Sequence, residues 1–191
     1  METLLGLCIG IGLSAACGFR VFVPLLVMSI AALMGWFEPM QGFEWLALPA
    51  VCFALTMATV CEIAAYYIPW LDNALDTIAT PAALVAGTLT TMAVSSGEMS
   101  QFMAWASAII VGGGTATAVQ MTTVAARGVS TATTGGIANP ILSTGEWVGA
   151  VLLSVVSFLF PFLVVILVAA LIIWCVRFVH RKNQQHTQPP L

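Results

Sequence analysis

Long apolar runs broken by solitary charges dominate this sequence. No charged residue occurs between Glu146 and Arg177, and Glu2, Arg20, Glu38, Glu44, Glu62, Asp72, Asp76, Glu98 and Arg127 stand apart from one another. A bilayer-spanning helix needs about 20 mainly apolar residues, and several runs meet that length. The pattern predicts an all-α, polytopic transmembrane protein with about five spanning elements. The first covers residues 3–37, too long for one straight helix across a core of about 30 Å. Gly18, Arg20 and Pro24 near its middle loosen the backbone and remove a helical hydrogen bond. Two readings stay open for it: a broken element that crosses once, or a tight hairpin of two short helices. The other elements are expected at 45–67, 72–94, 102–129 and 147–178. Pro81 could set off a short first helix in the third, and Pro161 should kink the fifth.

Composition agrees. Hydrophobic residues make up 60% of the 191 positions and charged residues 7%, against about 25% charged in soluble domains. The formal net charge of -3 and the lack of a basic stripe give no reason to expect nucleic acid. The first apolar run has no positive region before it and no clear cleavage site after it, so it is expected to be retained. The five cysteines lie inside apolar runs without a CxxC, and read as small buried hydrophobes rather than disulfides or metal ligands. Nothing resembles HExxH, GxSxG or a Walker loop. Neither enzymatic activity nor a cofactor is expected.

Arg177, Arg181 and Lys182 follow the last run and place the C-terminus in the cytoplasm by the positive-inside rule. Counting back through five elements puts Trp147 and the 70–76 loop outside, with Trp36, Trp45, Trp105 and Trp174 inside. No Lys or Arg before residue 20 holds the N-terminus in, which favours an outside start. The stretch 180–191 is expected to be a disordered cytoplasmic tail. Residues 1–179 form one transmembrane domain. Its two halves, 1–97 and 98–179, loosely echo each other: a glycine-bearing run, an arginine, a glutamate and then a proline, as in transporter repeats.

Ionisable groups at membrane depth cost roughly 2.5 kcal/mol or more on insertion scales and tend to mark pathways. Arg20 and Arg127 each need a carboxylate, carbonyls or water, and each could equally be a structural pair. Thr117, Gln120, Thr123 or Thr122, Arg127 and Thr131 recur at helical spacing and form a polar face. Gly112–Gly114 before it allow either an unwound helix or close helix packing. Glu62, Asp72, Asp76 and Glu146 gather toward one side, the outer one in the five-element count. Acids favour helix starts, which suits Asp72 and Glu146. Glu62 is placed near a helix end, where the dipole disfavours an anion, and is therefore the foremost functional candidate. The turn around Asn139-Pro140 could be a plain loop or could line a pathway.

Several of these residues lie in a recognisable order. Gly18-Phe19-Arg20 leads to Pro24-Leu25-Leu26; Glu62 is followed by Pro69-Trp70-Leu71-Asp72, Leu75-Asp76 and Pro81; Arg127, Asn139-Pro140 and Glu146 follow. Over residues 4–168 this resembles a bacterial membrane family catalogued as domain of unknown function 4126. Trp147 stands where that family has an Asp after its second-half Glu. The resemblance implies no activity, substrate or cofactor. It does imply that Arg20, Glu62, Asp72, Asp76, Arg127 and Glu146 act as one constellation.

The expected function is movement of a small solute or ion across the inner membrane of a bacterium. The pathway residues are Arg20, Glu62, Asp72, Asp76, Gln120, Arg127, Asn139 and Glu146. Carboxylates outnumber arginines there, which favours a cation or amine. A homo-oligomer in the bilayer is expected for so short a chain. Two rivals remain: an assembly protein whose ion pairs only lock helices, and a sensor of divalent cations.

Overall fold

The computed structural model describes the backbone of residues 2–95 and 97–186. It describes their side chains except for Glu2 and those of residues 69–70, 72–73, 174–176 and 178–186. Every regular element among these residues is helical. In chain order they are α1 (Glu2–Phe19), α2 (Phe22–Leu33), a 3-10 turn (Glu44–Ala47), α3 (Pro49–Ala65) and α4 (Pro69–Ala93). Then come α5 (Gln101–Ser107), a π turn (Ala108–Gly113), α6 (Gly114–Thr134), α7 (Asn139–Leu159) and α8 (Pro161–His186). The stretch Gln101–Thr134 is one continuous rod.

The first element breaks at Arg20–Val21, inside the Gly18–Pro24 interval expected from sequence, and it breaks into a hairpin. Leu13 of α1 and Met28 of α2 share one buried cluster, while Cys17 and Leu25 share another. Positions at roughly matching distances from the Arg20–Val21 break therefore share clusters, so α2 runs back along α1. The fifth element also folds on itself. A residue larger than glycine at Gly12 would meet both Ser157 of α7 and Val164 of α8. Phe19 faces Gly149, Leu153, Val168 and Leu171 across an apolar groove of about 300 Å³. The turn falls at Phe160 (φ -139°, ψ 65°). A residue preceding proline is pushed out of helical geometry, so Pro161 reverses the chain here where only a kink was expected.

Among the described residues seven helices, with Gln101–Thr134 taken as one, thus alternate in direction, two more than the five expected elements. One end of the bundle holds the starts of α1, α3 and α5 and the turn after α7. Contacts there include Met40 N–H to the Ala93 carbonyl at 2.9 Å, Thr3 Oγ1 to Glu98 at 2.5 Å, and the Phe37–Phe158 ring pair at 5.3 Å. This is the acidic end, with Glu38, Glu44 and Glu98. The other, arginine, end holds Arg20, Arg127 and the C-terminal part of α8 with Arg177. Two extra reversals invert every connection between them. The α3–α4 and α6–α7 turns therefore share an end with the C-terminal part of α8, opposite to the five-element expectation.

Other departures are local. Pro81 sits inside an unbroken α4 and sets off no separate helix. The glycines at 112–114 do not unwind the rod. One π turn absorbs them, and Gly112 packs against Gly87 and Thr91. The predicted disordered tail is helical up to His186; Arg181, Lys182, Gln184 and Gln185 are good helix formers. Residues 187–191 lie outside the described ones.

α1 is the axis of the bundle and touches α2, α4, α6, α7 and α8. Leu13, Ser14, Ala15, Ala16 and Cys17 are all fully buried, which requires neighbours on every side of the helix. Small residues permit this. At Gly18 a methyl group would sit 2.5 Å from the Ala116 carbonyl oxygen, a backbone atom that cannot swing aside.

The outside of the bundle is apolar and part of its inside is polar. Phe53, Ile110, Ile141 and Ile166 are each more than 60% exposed, while Arg20 and Arg127 are the largest fully buried side chains. Water-soluble folds distribute these residue types the other way round. The stretches Gln101–Thr134 and Asn139–Leu159 are long and apolar enough to cross a membrane. Thr3–Phe19, Phe22–Leu33, Pro49–Ala65 and Pro161–Ile173 are shorter apolar helices.

Candidate functional site

Arg20 directly follows α1, where the hairpin forces the chain out of helical geometry. α6 and α7 both extend past this level. Seven residues separate Arg127 from the end of α6 and seven separate Glu146 from the start of α7, or about 10 Å of helix each. The α1–α2 turn therefore lies within the bundle, below its arginine end.

Four helices converge on it. Glu146 Oε2 accepts from Arg20 Nη2 at 3.0 Å and from Arg127 Nη2, while Arg127 Nε donates to Glu146 Oε1 at 3.2 Å. Arg127 Nη1 donates to Asp76 Oδ1 of α4 at 2.6 Å. One carboxylate thus bridges two guanidinium groups, and the Arg127–Glu146 fork is bidentate, the strong geometry for this pair. The Arg20 guanidinium lies 3.7 Å from the centre of the Tyr66 ring and that of Arg127 4.3 Å from it, cation–π distances that gain strength in a desolvated site. Arg20 Nη2 also reaches the Ser143 carbonyl at 3.4 Å.

The helix faces explain the convergence. α6 buries Gln120, Thr123, Arg127 and Ser130, and α7 buries Asn139, Ser143, Glu146 and Ala150, positions three or four apart on one stripe. Gly18 abuts Ala116 and Val119, and α1 and α6 run the same way. Arg20, two residues on, is therefore level with the Gln120–Thr123 turn.

Arg20, Asp76, Arg127 and Glu146 come together as expected, and Gln120 is buried on the same stripe of α6 as Arg127. Glu62 plays a different part. Its Oε1 accepts the Val21 N–H at 2.8 Å and its Oε2 the Phe22 N–H at 3.0 Å, so both oxygens cap α2. Asn139 is in the turn that joins α6 to α7, where Nδ2 donates to Thr131 Oγ1 at 3.2 Å. The Asp72 side chain lies outside the described residues. Tyr66 and Ser143 were missed in the sequence. Tyr66 falls one turn after Glu62 and Ser143 one turn before Glu146, and that spacing was the available signal.

Several buried polar atoms in this region have no hydrogen-bond partner: Nε and Nη1 of Arg20, Nε2 of Gln120, and Oγ of Ser143 and Ser130. Nearer the acidic end, hydroxyls meet between α1 and α4: Ser14 Oγ is 2.8 Å from the Gly87 carbonyl and 2.8 Å from Thr91 Oγ1. Among the described residues no three His, Cys, Asp or Glu side chains converge as a metal site.

No curated protein and no solved structure matches the chain. A family profile does match, over residues 7–181, almost the whole helical bundle and all of the charged cluster. On that match the chain belongs to the family described as Domain of unknown function (DUF4126).

Proposed function

We propose that this protein is a multi-pass membrane protein that moves a small polar solute across a bacterial inner membrane. The solute is held where Arg20, Glu146, Arg127 and Asp76 meet. The carrying observation is Arg20, 1% exposed and with two of its nitrogens unpartnered, in a bundle with an apolar exterior. A side chain that serves only to lock helices is expected to have its donors satisfied, because each unmet buried donor costs about 1–3 kcal/mol. Unmet donors on a permanent charge suit a site that water and solute take in turn. The hydroxyls of Ser14, Thr90 and Thr91 form a second buried polar group nearer the acidic end.

Orientation follows from the charges. All five Lys and Arg residues belong to the arginine end, while Glu2, Glu38, Glu44 and Glu98 belong to the other. The positive-inside rule puts the arginine end in the cytoplasm. The N-terminus is then outside and the C-terminus inside, and the charged cluster is reached from the cytoplasm. Single cysteines placed in a cysteine-free background test this. Positions 41 and 97 are expected to react with a membrane-impermeant maleimide in whole cells, and positions 67 and 136 only after lysis. The reverse labelling would restore the five-element topology.

Solute movement is tested without knowing the solute. Proteoliposomes are moved into isosmotic solutions of small polar solutes, neutral and charged, and swelling is followed by light scattering. At least one solute is expected to enter several-fold faster than in empty liposomes. Equal rates for every solute would overturn the transport reading. The assembly reading would then hold, because the Arg127–Glu146 fork alone could lock α6 to α7. Among the described residues the divalent-cation reading has no cluster of ligands behind it.

A further inference from the structure

The charge of the solute follows from which hydrogen-bonding atoms the site leaves unused. Carboxylates outnumber arginines in the region, which by itself favours a cation. Yet Glu146 accepts on both oxygens from Arg127 and Arg20, and Glu62 accepts on both from the α2 backbone. These acids are already engaged. The unpartnered atoms are donors: Arg20 Nε and Nη1, and Gln120 Nε2. Ser143 Oγ is also unpartnered and can donate. Arg20, Gln120 and Ser143 are all at most 2% exposed. Ser143 is tied to Arg20 through its carbonyl, and Gln120 is on the neighbouring turn of α6.

We propose that the cluster binds a small anion, a carboxylate or inorganic oxyanion, held by Arg20 Nε and Nη1 with Gln120 and Ser143 completing the donor set. This rests on the solute-site reading and gives it a substrate class. The ion-pair network has two positive and two negative members and Glu62 adds a negative charge beside Arg20, so one bound anion leaves a local charge of about -2. The open N–H groups of Arg20 offset this, and a charge-assisted hydrogen bond is roughly twice as strong as a neutral one. A cation would have to break the Glu146 bridge or uncap α2 before it found a carboxylate oxygen on either acid.

The full chain, purified in neutral detergent, is unfolded thermally in two series of salts. One varies the anion (acetate, nitrate, phosphate, chloride, with bulky gluconate as reference) at constant sodium. The other varies the cation (sodium, ammonium, choline, magnesium) at constant gluconate. Saturable stabilisation by at least one anion is expected, as mass action requires of a ligand that binds only the folded state. Gln120→Leu and Ser143→Ala leave every ion pair in place. Each is expected to raise the half-saturating anion concentration about tenfold, with the unliganded Tm within a few degrees of the parent. Stabilisation by a cation alone would overturn the anion proposal and keep the solute site. Stabilisation by added anionic lipid, with none from any salt, would overturn the proposal in favour of a headgroup. No response to either series would overturn both the proposal and the solute-site reading beneath it.

Discussion

Glu146→Ala is expected to lower the stability of the bundle by about 3–5 kcal/mol, the range for removing one partner from a buried ion pair. Among the described residues Glu146 is the only carboxylate that pairs with both arginines. Without it, Arg127 keeps Asp76, but Arg20 keeps only the Ser143 carbonyl and the Tyr66 ring. Neither guanidinium can shed its charge. Glu146→Gln should cost less, because an amide oxygen still accepts one bond. Unfolding in mixed micelles with rising dodecyl sulfate, read by tryptophan fluorescence, gives the difference. A loss below about 1 kcal/mol would mean the pairs behave like exposed ones, and that water already fills the site. In the solute-site reading the same substitution also changes selectivity, because both arginines would then face the solute without a shared counter-charge.

Much of the charged cluster was legible in the sequence because charges in long apolar runs are conspicuous. Arg20, Asp76, Arg127 and Glu146 could hardly be placed anywhere but together. The number of helices was not legible. Runs 3–37 and 147–178 are mainly apolar, with Arg20 and Arg177 their only charges, and hydropathy cannot distinguish a long tilted helix from two short antiparallel ones. What decides is the backbone at Arg20–Val21 and at Phe160. Pro161 marks the second turn clearly, yet Pro81 sits inside an unbroken helix. A proline thus signals a break only where packing rewards one. For α7 and α8 that reward is contact with α1 at Gly12, Ala15 and Phe19.

The aromatic belts show how an incorrect count can still look coherent. Trp36, Trp45 and Trp105 share an end in both the five-element reading and the bundle, and Trp70 and Trp147 share the other. Two added reversals exchange the sides of these groups without mixing them. Only Trp174, beyond the second hairpin, changes company. Tryptophan placement therefore could not reveal the error. The turns at residues 20 and 160 are what reveal it.

Glu62→Ala is expected to cost about 2–6 kcal/mol, because it leaves two amide donors unmet at about 1–3 kcal/mol each. Sequence position made Glu62 the foremost functional candidate, since an anion near the end of its own helix opposes that helix's dipole. The structure gives the anion a second helix to serve. α2 is only 12 residues long, its first amides lie within the bundle, and Val21 ahead of it offers no side-chain cap. Half-helix N-termini at this depth attract anions, and in transporters a substrate carboxylate often fills that role. Here the Glu62 carboxylate fills it from α3, at 2.8 and 3.0 Å. Glu62→Gln keeps one acceptor and is expected to lose roughly half as much stability, while flux per folded molecule stays near the parent value. A proton-carrying or solute-binding Glu62 would behave the opposite way: the Gln variant would fold as well as the parent and lose its flux. Measuring both quantities on the same preparation separates the two roles. The expected result makes the α1–α2 hairpin a fixed wall of the site, with Arg20 at its tip.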